Sequence, residues 1–215
     1  MDSIQLNSLK KELVAQKDPF ILDFRLEQEF DDGFIVGSIY IGKNLNRYHR
    51  YLKSFTNQSL YIIHNSEIEE TVLALNKLGF EKIRLVTGTI DAHSLSEVGL
   101  LDLIITIEAD ELAMDLPFDD KARIIDLRQE DIYKSGHIED AENIPLEEFM
   151  DVGTIAEMEE QENIYLFSNE DDTTFAGSLI KRQGLHNFRK IKGGMQEISN
   201  TEKIKIVKDT KEPIK

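Results

Sequence analysis

The chain has 215 residues, 40% of them hydrophobic and 31% charged, enough for one large domain or two of about 100 residues each. Its net charge of −16, from 25 Lys and Arg against 41 Asp and Glu, argues against binding to nucleic acid or an anionic membrane, since both need a basic surface. It contains no cysteine, which removes disulfides, thiolate metal sites and any mechanism that uses a thiol of this chain.

Ile4 to Ala15 places Ile4, Leu6, Leu9, Leu13 and Val14 at roughly helical spacing and predicts an amphipathic helix. This start is polar, not signal-like, and no apolar run approaches the roughly 20 residues that cross a bilayer, so a cytoplasmic protein is expected. Pro19 to Arg25 predicts a short buried strand that ends in Asp23-Phe24-Arg25. Tyr61-Ile62-Ile63 is a further strand, followed by a helix over 68–78 that stops at Gly79 and a strand over 82–86. Near 93–102 the first set of elements ends. Leu100 to Ile107 then predicts a strand and Ala109 to Met114 a short helix.

The second half repeats the first. Lys121 to Leu146 opens on an apolar strand ending in Asp126-Leu127-Arg128, and setting Asp126 against Asp23 gives an offset of 103 residues. At that offset Arg25 meets Arg128, Glu27 meets Glu130, Phe30 meets Tyr133, Gly33 meets Gly136, and Ile41 meets Ile144. Tyr165-Leu166-Phe167, a helix over 174–183 closed by Gly184, and a strand over 188–191 complete the second copy. The segment Ile204 to Val207 adds an edge strand or stays disordered. A period this long marks a duplicated domain, with copies at 1–98 and 99–215. Strands alternating with helices predict an α/β fold in each copy, a mostly parallel sheet with helices on both faces.

Asp126-x-Arg128, Gly136-His137-Ile138, Asn143-Ile144-Pro145, Gly184 and Lys192-Gly193-Gly194 together resemble a rhodanese-like domain. The repeat extends that resemblance to a tandem rhodanese-like protein. The first copy departs further, with Phe34 in place of the histidine and Thr87-Gly88-Thr89 in place of the closing glycine pair. The resemblance implies a site on a loop of about six residues after the fourth strand, opening on a nucleophilic cysteine. Its amides and the following helix start would cradle an anion. The equivalent positions are His64 to Glu70, and Ser168, Asn169, Glu170, Asp171, Asp172, Thr173 and Thr174. The cysteine is thus His64 in one copy and Ser168 in the other.

A serine oxygen cannot hold sulfur as a persulfide, and it lacks the accessible ionised form of a thiol. Glu170, Asp171 and Asp172 bring three negative charges where an anion would sit, and Glu67, Glu69 and Glu70 do the same in the first copy. At about 4 Å one like-charge pair near a surface costs a few kcal/mol, so the acids suit a helix start better than an anion cradle. Asp126 and Arg128, like Asp23 and Arg25, are expected to tie loops together, and His137 to pack within its loop. The five histidines show no metal-ligand spacing, and neither metal nor cofactor is expected.

Residues 139–172 hold 13 acidic side chains and no Lys or Arg, either as a solvated face or as a docking surface for a basic partner protein. The expected function is a catalytically inactive binding or regulatory module. The alternatives are an accessory or diverged member of sulfur-transfer metabolism, and a hydrolase using Ser168 or a metal at His64.

Overall fold

The computed structural model describes residues 2–15, 19–64, 68–158, 162–168 and 170–209. The chain divides into two compact units, Met1–Leu103 and Ile104–Lys215. The first begins with β1 (Asp2–Gln5), α1 (Leu6–Ala15), β2 (Phe20–Asp23), α2 (Glu27–Asp31), β3 (Phe34–Ile35) and β4 (Ile39–Tyr40). It continues with α3 (Leu45–Leu52), β5 (Leu60–Ile63), α4 (Glu69–Leu78), β6 (Ile83–Thr87), α5 (Ala92–Val98) and β7 (Leu101–Asp102). The second begins with β8 (Ile105–Ile107), α6 (Ala109–Asp115), β9 (Ala122–Asp126), α7 (Glu130–Ser135), β10 (His137–Ile138) and β11 (Glu142–Asn143). Then follow α8 (Leu146–Phe149), α9 (Val152–Ala156), β12 (Asn163–Phe167), α10 (Glu170–Arg182), β13 (Phe188–Ile191), α11 (Gly194–Asn200) and β14 (Ile206–Val207).

Each unit is built on a five-stranded parallel sheet, β4-β2-β5-β6-β1 in the first and β11-β9-β12-β13-β8 in the second. The orders are the same, strand for strand. A small antiparallel pair repeats too, Phe34 against Asp102 and His137 against Val207. Helices cover both faces of each sheet, which is why β2 and β5 are buried along their whole length. In the first unit Ile21, Tyr61, Ile63 and Val86 pack with Leu6, Leu9 and Leu95 of α1 and α5. On the opposite face Phe20 stacks on Phe55 at 4.4 Å and on Phe80 at 6.0 Å. In the second unit Ile124, Tyr165, Phe167 and Ile191 pack with α6 and α11, while α10 lies so close to β13 that a Cβ on Gly177 would meet the Phe188 ring at 3.0 Å.

A polar device also recurs. The Tyr61 hydroxyl donates to Glu12 at 2.7 Å, Arg84 pairs with the same carboxylate, and its guanidinium lies over the Tyr61 ring. In the second unit the Tyr165 hydroxyl donates to Asp119 at 3.1 Å with Arg189 over its ring. Burial, together with the Asp119 carboxylate, pushes the Tyr165 hydroxyl up to about 12.

Two expected elements differ. The predicted first helix is a strand followed by a helix, because Asp2–Gln5 adds to the sheet edge beside β6 in register with Arg84 to Thr87. The apolar run from Leu100 to Ile107 is two strands in different units. Leu101–Asp102 pairs with β3, which keeps residues 99–103 with the first unit, and Ile105–Ile107 pairs with β13. Among the described residues no helix is long and apolar enough to cross a membrane.

Candidate functional site

In a parallel sheet, polar side chains delivered at the strand ends collect on one edge, outside the carboxyl ends of the strands. Asp23 ends β2 and Asp126 ends β9, and both carboxylates are fully buried. Arg25 grips Asp23 through Nε at 3.0 Å and Nη2 at 2.7 Å, and donates onward to the Gly33 and Ile90 carbonyls, each at 2.9 Å. Burial pushes the Asp23 carboxyl up, against the pull of the Arg25 hydrogen bonds. Arg128 repeats the grip on Asp126 and donates to the Gly136 carbonyl at 2.8 Å. Asn143 adds bonds to the Asp126 and Arg128 carbonyls at 3.0 and 2.8 Å. Asp126 and Arg128 thus spend their described hydrogen bonds on each other and on neighbouring loops. They fix the site edge in place. His137 packs within its loop, stacked on Tyr133 at 3.8 Å with Nδ1 at 3.0 Å from the Tyr133 carbonyl.

The two cysteine-equivalent positions differ in their surroundings. In the first unit His64 directly follows β5, and its loop positions Asn65, Ser66 and Glu67 lie outside the described residues. The half-buried His64 ring stacks over Phe24 at 5.8 Å, with Nε2 at 3.3 Å from the Thr71 hydroxyl in the first turn of α4. Beside it opens a cleft of about 480 Å³, lined by Phe24, Arg25, Glu29, Lys43, His64 and Thr71 among others. These side chains come from four separate segments, so no single motif announces the cleft.

In the second unit β12 ends at Phe167 and α10 begins at Glu170, leaving only Ser168 and Asn169 between them. Asn169 and the Glu170 side chain lie outside the described residues. The six-residue loop implied by the resemblance is therefore absent here, and positions 170–174 form the first turns of a helix that starts four residues earlier than predicted. The cause is electrostatic: Asp171 and Asp172 fall in the first turn, where the helix dipole favours negative charge. Asp172, Thr173 and Thr174 are buried. Lys190, which the sequence did not single out, is only 4% exposed and donates to the Thr174 hydroxyl at 2.8 Å. Its signal was present: a lysine on a strand covered on both faces needs a polar partner inside.

The acidic run is partly neutralised. Arg123 pairs with Glu142 at 2.9 Å and Glu162 at 3.1 Å, and Lys205 pairs with Glu139. Glu148, Asp151 and Glu157 remain exposed on α8, α9 and the turns beside them, while Glu159 and Glu160 lie outside the described residues. Among the described residues no group of three or more His, Asp or Glu side chains is placed to hold a metal ion.

Residues 108–201 match the family model described as Rhodanese-like domain, all of them within the second unit. No curated protein matches the chain. Among solved structures, the chain is similar to a rhodanese-like domain from Anabaena, with 22% identity, 48% of this chain and 78% of that chain covered, and a TM-score of 0.43. It is also similar to a rhodanese-related protein from Thermoplasma volcanium, with 22% identity over 48% of this chain and 97% of that chain and a TM-score of 0.40. A thiosulfate sulfurtransferase from Pseudomonas aeruginosa aligns with 98% of this chain at 14% identity and a TM-score of 0.43, and the chain spans 44% of its length.

Proposed function

We propose that the chain is a tandem rhodanese-like protein that has lost sulfur transfer and acts as a binding or regulatory module. One observation carries this reading: in a chain without cysteine, α10 starts two residues after Ser168, where a sulfur site would need an open loop. Sulfane sulfur is stored on a thiolate, and neither Ser168 nor His64 offers one. The shared strand order of the two units and the family match over 108–201 support the tandem assignment.

Ser168→Cys tests the reading directly. The variant is expected to show no more transfer of sulfur from thiosulfate to cyanide than the parent chain, because the helix start supplies acids where an anion must enter. Turnover above background in Ser168→Cys would mean that the sulfur pocket is intact and the module reading wrong.

We further propose a basic partner protein, with Glu148, Asp151 and Glu157 as the docking acids. Reversing all three to Lys is expected to weaken capture of that partner by about ten-fold or more, since rim charges of one sign steer association. Unaltered capture removes this surface from the account.

A further inference from the structure

We propose that the cleft of the first unit is a binding site for a small organic carboxylate, held by Lys43 and Thr71, with His64 orienting the Thr71 hydroxyl. The proposal deepens the binding-module reading and rests on it. The chain runs from β2 to β4 on one side of the sheet and then crosses to β5 on the other, so the strand order reverses between β2 and β5. Crevices at such a reversal, outside the carboxyl ends of the strands, are where parallel sheets take ligands. The cleft sits there, between Phe24 and Arg25 after β2 and His64 after β5. Its volume of about 480 Å³ suits a metabolite-sized molecule.

The polar capacity of the lining decides the ligand class. Asp23 and two carbonyls take four of the five Arg25 N–H donors, and the buried Arg25–Asp23 ion pair adds no net charge to the cleft. A Glu29 carboxylate oxygen accepts the Leu26 amide at 2.9 Å, closing the start of α2. Lys43 is exposed at the rim and has no ion-pair partner among the described residues. With the proton on Nε2, His64 donates to Thr71, which frees the threonine hydroxyl to donate into the cleft. An ammonium at the rim and a hydroxyl in the lining favour an anionic acceptor. Phe24, Leu26 and Leu45 supply an apolar wall, with Leu26 57% exposed. A carboxylate joined to a flat apolar group satisfies both parts. In the second unit Leu146, buried, stands at the position of Lys43, 103 residues on.

Benzoate titrated into the full chain is expected to shift the His64 ring-proton resonances saturably, with those resonances assigned through His64→Asn. Benzamide, the neutral isostere, should bind at least about ten-fold more weakly, and Lys43→Glu should weaken benzoate by a similar factor with the amide spectrum unchanged. No saturable shift at His64, equal affinity for benzamide, or unchanged affinity in Lys43→Glu overturns the site. These outcomes are separate from sulfur transfer. Turnover with thiosulfate would defeat the module reading, whereas failed benzoate binding with no turnover would defeat the carboxylate site alone.

Discussion

Gly194→Ala is expected to lower the unfolding free energy of the second unit by about 3 kcal/mol or more, measured by urea unfolding. Gly194 opens α11 at a φ of +55°, and a Cβ there would sit 2.1 Å from the carbonyl oxygen of Ser168. The left-handed backbone alone costs an alanine about 1–2 kcal/mol. The remainder comes from the carbonyl, which belongs to the backbone and cannot rotate away like a side chain. Gly184→Ala provides the comparison: its φ is +85°, but a Cβ there meets nothing within 4 Å. It should cost only about 1–2 kcal/mol, the conformational part. If the two variants cost the same, the carbonyl contact contributes nothing. The close approach also explains the second glycine of the pair at 193–194: the chain just after β12 and the start of α11 touch at the Ser168 carbonyl.

That contact shows which parts of the site the sequence could express. The Asp-x-Arg repeat was legible because the same two residue types, two apart, recur at one offset, and both copies make the same bonds, down to the Gly33 and Gly136 carbonyls. The change of the second loop to a helix start was also legible, since three consecutive acids are poor anion ligands and good first-turn residues. Its extent was not, because nothing in Ser168-Asn169 states where the helix begins. β1 was missed because a four-residue edge strand with one buried side chain, Ile4, merges with the helical spacing that follows. The cleft was illegible for a different reason. Phe24, Lys43, His64 and Thr71 have no common period, and only the crossing between β2 and β5 brings them together. The sequence instead drew attention to the acidic run of the second unit, where Arg123 and Lys205, both outside the run, balance part of the charge.

Arg25→Met should be the most costly change at the site edge of the first unit, by about 3–5 kcal/mol at neutral pH, the range for breaking a buried ion pair from one side. Asp23 is fully buried, and the Gly33 and Ile90 carbonyls lose their donors in the same step. The loss depends on pH, with a definite sign. Burial already pushes the Asp23 carboxyl up, and the Arg25 bonds are what oppose it. Without them the folded state holds a proton at pH values where the unfolded chain, titrating near about 4, has released it. The variant is therefore most stable below that value and loses stability as pH rises toward the raised folded value. Urea unfolding at pH 4 and pH 7.5 should show a smaller deficit relative to the parent at the lower pH. Asp23→Asn combined with Arg25→Met should recover part of the loss at neutral pH, since no charge is then buried alone. A deficit independent of pH, or one below about 1 kcal/mol, would mean that solvent reaches Asp23. Arg128→Met should cost less than Arg25→Met, because the Arg128 side chain is 11% exposed against 2% for Arg25, and water can reach the vacated position. Of the two anchors, Asp23–Arg25 is therefore the more deeply buried and the one whose loss leaves a carboxylate furthest from water.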